Sequence, residues 1–152
     1  MKWKPPEEWE KLKKGINCPM CADTSMDENQ FNFLVKELKY SYVRLPKNQY
    51  TRGWTIVVLK HHASELFELS KEELGGFWED VSHVAKALDT LYKPTKINYC
   101  VFGNHCPHIH CHLVMQTYDN DPSKAVKMDE QEEFLAPEEY QKMINDLKTL
   151  LD

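Results

Sequence analysis

His108, His110 and His112 alternate with Ile109, Cys111 and Leu113. Successive side chains of a β-strand point to opposite faces, so the spacing predicts three imidazoles on one face and apolar or small groups behind them. In a helix, residues two apart lie about 200° around the axis and the rings would scatter. Imidazole has the side-chain pKa nearest neutrality, and it serves as nucleophile, proton carrier or metal ligand. One available chemistry is attack by a neutral His110 on an α-phosphorus, which forms a phosphoramidate and splits one hard displacement into two easier ones. His112, on the same face, would orient that ring or donate to a phosphoryl oxygen. Donors around Gly103-Asn104-His105 would meet the charge developing there. The rival chemistry is a mononuclear His₃ zinc hydrolase, with bound water as the nucleophile. Spacing alone does not separate the two.

A second constellation involves Cys18-Pro19-Met20-Cys21 and Lys60-His61-His62. Two thiolates and two imidazoles make a closed tetrahedral zinc site, here Cys18, Cys21, one of His61 or His62, and one histidine of the later cluster. Alone, the C-x-x-C reads equally as a turn with two reduced thiols. A redox role ranks last, because the strand-to-helix setting is missing. Cys106 and Cys111 stand beside the histidines, where oxidation would bear on the site.

The elements that must position these groups follow in order. Pro6 to Lys14 reads as a short helix with Glu7 and Glu8 first and Gly15 as its stop. Phe31 to Val35 and Tyr40 to Leu45 read as strands, and Trp54 to Leu59 as a strand buried on both faces. Ser70 with Glu73 forms a capping box for a long helix from Lys71 to about Tyr92. Its buried stripe is Leu74, Phe77, Trp78, Val81, Val84, Ala85, Leu88 and Leu91. Gly75-Gly76 has no evident reason in the sequence. Ile97 to Phe102 and His108 to Met115 are the last strands. Residues 117–136 form a long acidic loop of functional or mobile character, and Pro137 opens a final helix over 137–152.

The chain of 152 residues and formal charge -5 suits one domain with a real core. It divides into an N-terminal zinc-anchored segment 1–30, a core 31–116, the acidic loop 117–136 and the C-terminal helix 137–152. The charge argues against broad nucleic-acid or membrane-surface binding, but not against a small anionic ligand. No apolar run of about twenty residues and no signal peptide are visible. Five cysteines, an odd number, fit a reducing compartment. Cytoplasm is the expected location.

His108-Ile109-His110-Cys111-His112-Leu113-Val114, with Arg52-Gly53 before an apolar strand ending Lys60-His61-His62 and Ser64 to Ser70 leading into a long helix, resembles the histidine triad nucleotide hydrolases and transferases. The resemblance spans roughly residues 16 to 116. It implies an α+β fold, an antiparallel five-stranded sheet crossed by one long helix with a C-terminal helix beside it, paired as a homodimer. It implies cleavage of a nucleoside phosphoramidate or dinucleoside polyphosphate through a nucleotidylated His110, assisted by His112. Asn98, Asn104 and His105, with His112, match substrate-facing positions. In the zinc-containing branch the structural ligands correspond to Cys18, Cys21, His62 and His108. Three positions depart from the pattern: Met115-Gln116 where many members have Pro-Arg, Leu45 or Pro46 at the usual ribose carboxylate or amide, and His105 where Ser or Thr is commoner. These departures leave a second expectation open, a zinc-stabilised nucleotide-binding module with little catalysis.

Overall fold

A computed structural model describes residues 2–152. The elements run α1 (Pro6–Lys13), α2 (Pro19–Asp23), β1 (Asn32–Glu37), β2 (Ser41–Pro46), β3 (Thr55–Leu59), α3 (Lys71–Tyr92), β4 (Lys96–Cys100), β5 (His110–Gln116) and α4 (Pro137–Leu151). The strands form one antiparallel five-stranded sheet in the order β1-β2-β3-β5-β4, so the expected α+β architecture is present. Every residue of β3 is buried, as its unbroken β-branched run predicts. Among the described residues, no helix is long and apolar enough to cross a membrane.

Strand parity divides the sheet into two unlike faces. Val43, Leu45, Val57, Leu59, Ile97, Cys111, Leu113 and Met115 pack against Phe77, Val81, Val84 and Leu88 of α3 and Tyr140, Met143, Leu147 and Leu151 of α4. Trp78 and Leu91 flank this core, while Leu74, expected in the stripe, lies outside it. The opposite face carries Trp54, Ile56, Val58 and Val114, covered by Met20, Val126 and Met128.

The helix is tied to the sheet at its first turns. Ser70 Oγ accepts from the Glu73 amide and Glu73 Oε2 accepts from the Ser70 amide, each at 3.2 Å, which completes the capping box. Two turns further, Asp80 Oδ2 accepts from the Tyr40 amide at 3.0 Å and from Ser41 Oγ at 2.7 Å. The Tyr40 ring then lies on α3, its hydroxyl donating to Glu72. That explains Gly76, where a Cβ would meet the ring at 2.2 Å. Gly75 has open space around it, and nothing in the structure explains it.

The N-terminal segment is held by a buried cation. Arg44 is 1% exposed. Its guanidinium donates to Thr24 O at 3.0 Å, Asn32 Oδ1 at 2.5 Å, Asn32 O at 3.1 Å and Met26 O. A buried charge is tolerable only when its donors are used in this way. The C-x-x-C, which taken alone reads equally as a turn, opens α2 with Cys18 at the N-cap, because Pro19 is preset for the first helical position.

Two strand boundaries also differ from expectation. The fourth strand stops at Cys100 rather than Phe102. The fifth begins at His110, leaving His108 outside the ladder, because the His108 amide bonds back to Cys106 O at 2.8 Å in a tight reversal around Pro107. The acidic loop lies along the protein: Gln49 N donates to Glu133 O at 2.8 Å, and Asn48 Nδ2 to Gln131 O at 2.9 Å.

Gly76→Ala should lower stability by about 1–2 kcal/mol, since overpacking against Tyr40 outweighs the gain in helix propensity. The check is a denaturant melt with a Tyr40→Ala partner. In that background the same substitution should be neutral or stabilising.

Candidate functional site

Four side chains from three parts of the chain converge where α2 meets the sheet. One ligand atom each from Cys18, Cys21, His62 and His108 lies within 4.8 Å of all the others. Cys18 Sγ and Cys21 Sγ are each 3.5 Å from His108 Nδ1, and Cys21 Sγ is 3.4 Å from His62 Nδ1. Zinc–sulfur bonds of about 2.3 Å and zinc–nitrogen bonds of about 2.0 Å give a tetrahedron whose S···N edges are about 3.5 Å. The spacing therefore fits a four-coordinate metal.

The outer nitrogens support that fit. His108 Nε2 donates to Leu59 O at 2.7 Å, and His62 Nε2 to Lys13 O at 3.0 Å. Lys13 ends α1, where carbonyls lose their helical partners. Each bond puts the proton on Nε2 and turns the Nδ1 lone pair toward the sulfurs, the arrangement that orients metal-bound histidines. Gly15, at φ +80, permits the approach, since a Cβ there would stand 3.1 Å from the His62 ring. His61 points away, its Nδ1 3.0 Å from Glu73 Oε1, so the structure selects His62 from the pair. Cys106 adds a third thiol, its Sγ 3.7 Å from Cys18 Sγ. A hydrogen bond from Cys106, reinforced by His108, holds the Cys18 thiol well below its ordinary range.

His110 and His112 share the opposite face of the sheet, paired across β3 with Val58 and Ile56. Their ring centroids are 4.9 Å apart. The expected third member of that row is missing, because His108 precedes the strand and turns to the cysteines. A His₃ metal site is thereby contradicted: His108 commits both ring nitrogens elsewhere. Among the described residues, the Cys₂His₂ group is the one cluster suited to a metal.

The two remaining rings are fixed in opposite tautomers. His110 Nδ1 lies 2.5 Å from His108 O, so it carries the proton and leaves a lone pair on Nε2. The Trp54 indole Nε1–H donates to His112 Nδ1 at 3.2 Å, which places the His112 proton on Nε2. Neither Nε2 bonds to any described residue. Burial lowers the His110 pKa, and burial followed by repulsion from His110 lowers that of His112 to about 3. Both rings are therefore neutral near pH 7, and one offers a lone pair where the other offers N–H.

The remaining candidates are more dispersed. Asn98 pairs with Val114 on β4, which puts it on the imidazole face, half-buried. Asn104 and His105 lie in the β4–β5 loop, exposed, and the structure joins neither to an imidazole by a hydrogen bond. Trp54 and Cys106 were not singled out for these roles by sequence. Trp54 carried a signal only through parity with Ile56 and Val58, which requires knowing the strand register. A cavity of about 1090 Å³ opens at the far end of β5, bordered by Arg52, Lys93, Gln116 and Tyr118, away from both imidazoles.

Comparison with known proteins agrees with this fold. The HIT domain family model matches residues 28–119. A histidine triad protein from Bradyrhizobium japonicum has a similar structure, with TM-score 0.73, 19% identity and 100% of both chains covered. A hypothetical histidine triad nucleotide-binding protein from Sulfolobus tokodaii aligns at TM-score 0.68 and 18% identity, over 88% of this chain and 91% of that one. A zinc-bound histidine triad family protein from Mycobacterium smegmatis aligns at TM-score 0.64 and 20% identity, over 90% and 94%. No curated protein matches the chain. With the imidazole pair on β5 and a family match across more than half of the sequence, the chain belongs to the HIT domain family.

Proposed function

We propose that this chain is a nucleotidyl hydrolase or transferase acting through a covalent nucleotidyl-histidine on His110. The observation that carries the reading is the pair of opposed tautomers, a lone pair on His110 Nε2 beside an N–H on His112 Nε2. In the first step the His110 lone pair forms a bond to the α-phosphorus as the bond to the leaving group breaks. In the second, water or another acceptor attacks that phosphorus, the P–N bond breaks, and His110 is regenerated. His112 donates to a phosphoryl oxygen throughout and, being neutral, needs no change of charge. Asn98, on the same face, and Asn104 and His105, in the neighbouring loop, serve as phosphate-side contacts. The nucleotide-binding description of the Sulfolobus relative supports a nucleotide ligand, and the substrate we propose is a nucleoside phosphoramidate or dinucleoside polyphosphate.

Zinc is the metal we assign to Cys18, Cys21, His62 and His108. When bound it supplies a closed structural cross-link, with no position left for substrate. The Mycobacterium relative supports the assignment.

Intact mass after mixing with an adenylyl phosphoramidate should show a transient gain of one nucleoside monophosphate on the wild type and none on His110→Asn. Unchanged turnover by His110→Asn would sink the mechanism, and ligand-induced stabilisation with neither adduct nor turnover would favour a binding module.

Loss of the indole donor frees the His112 tautomer. One net hydrogen bond of about 1 kcal/mol corresponds to a roughly fivefold effect on rate. Trp54→Phe should therefore lower kcat about that much with KM little changed, as steady-state kinetics on a folded variant would show.

Elemental analysis should find roughly one zinc per chain, and Cys21→Ser should lose it. Chelation should lower the melting temperature, because metal binding to a site absent from the unfolded chain is folding energy.

A further inference from the structure

Cys106 is a buried thiol that the four-ligand set does not use. It is 7% exposed, and its Sγ stands 3.7 Å from the sulfur of a metal ligand that comes from the other end of the core. A closed tetrahedron is complete without it. It lies in the same loop as Asn104 and His105, two residues before His108. Any bond it makes to Cys18 would cross-link the two pieces of chain that the metal also joins.

We propose that Cys106 is a resolving thiol: a hydroperoxide drives it to a disulfide with Cys18, which expels the metal and replaces it as the link between the N-terminal segment and the β4–β5 loop. In the first half-reaction the Cys18 thiolate attacks the peroxide O–O bond, taking one oxygen as sulfenic acid and releasing hydroxide. In the second, the Cys106 sulfur attacks that sulfenic sulfur, the S–O bond breaks, and the oxygen leaves as water with the Cys106 proton. Two electrons pass from the two sulfurs to the peroxide. The sulfurs close from 3.7 Å to about 2.05 Å. Cys21 is exposed, so the oxidant enters from its side of the cluster.

Cys21 is the competing partner for Cys18, and geometry disfavours it. Its sulfur is held between two imidazoles, 3.4 Å from His62 Nδ1 and 3.5 Å from His108 Nδ1. It also sits on the same short helix that Cys18 caps, so pairing them would tighten one turn and leave the N-terminal segment unlinked. Cys106 has no ligand duty, and its bond to Cys18 spans 88 positions.

The inference rests on the zinc reading for metal release, while the disulfide map is read independently of metal content. The zinc-loaded full chain is treated with hydrogen peroxide and followed by a chromophoric zinc chelator, intact mass and peptide mapping. The expected result is loss of two hydrogens, one zinc released per disulfide, a Cys18–Cys106 cross-linked peptide, and reversal by a thiol reductant with added zinc. The oxidised protein should melt above the reduced, metal-free protein. Cys106→Ala and Cys106→Ser should keep zinc when reduced and release it at least roughly tenfold more slowly under peroxide. A Cys18–Cys21 peptide in the wild type, or release from both variants at the wild-type rate, would overturn the proposal. Loss of zinc from both reduced variants would overturn it too, since Cys106 would then belong to the metal site itself.

Discussion

Every polar group of His108 is spent on a different part of the site. Its amide closes the reversal onto Cys106, Nδ1 faces the two cysteine sulfurs, Nε2 donates to Leu59 at the end of β3, and its carbonyl accepts from His110. One residue thus joins the metal cluster, the central strand and the proposed nucleophile. The proposed nucleophile owes its tautomer to the backbone of a residue whose ring faces the two cysteine sulfurs.

The sheet supplies the other half of the arrangement. Because β3 and β5 are inner strands, His110 and His112 rest on a backbone whose hydrogen bonds are satisfied on both sides. Cys111 and Leu113, their alternating neighbours, are fully buried in the main core. A shift of one residue in the β3–β5 register would bury the imidazoles under α3 and turn the core outward. Precision at the rings is therefore inherited from packing behind them. Trp54 adds the last constraint, since its indole rather than its bulk decides which nitrogen of His112 bears the proton.

Much of this was legible in the chain because period and chemistry coincide. Alternation of histidine with apolar residues announced a strand, the Ser70–Glu73 box announced the start of α3, and two cysteines with two distant histidines announced a metal-sized cluster. Legibility failed where a local pattern yields to a distant partner. The histidine alternation continues back to His108, yet Pro107 and the pull of the cysteines take that residue out of the strand. Gly76 looks like a defect in a helix until the ring of Tyr40 is placed on it. The parity of Trp54 with Ile56 and Val58 names its face but not its partner, and Cys106 has no periodicity at all; their roles arise only once β5 lies beside β3 and α2 lies against the loop before β5. The resemblance implied His62 rather than His61, and the physical reason lies at the end of α1, whose free carbonyl receives one ring and not the other.

The burial of Arg44 has a consequence for where this protein can be divided. The recognised family region begins at residue 28, seven positions after Cys21. Thr24 and Met26, which accept from the Arg44 guanidinium, lie before that point. A fragment cut at the recognised boundary would leave the buried Arg44 guanidinium with only its Asn32 acceptors and would discard Cys18 and Cys21 together. The stretch that satisfies this interior cation thus begins upstream of the stretch by which the family is recognised.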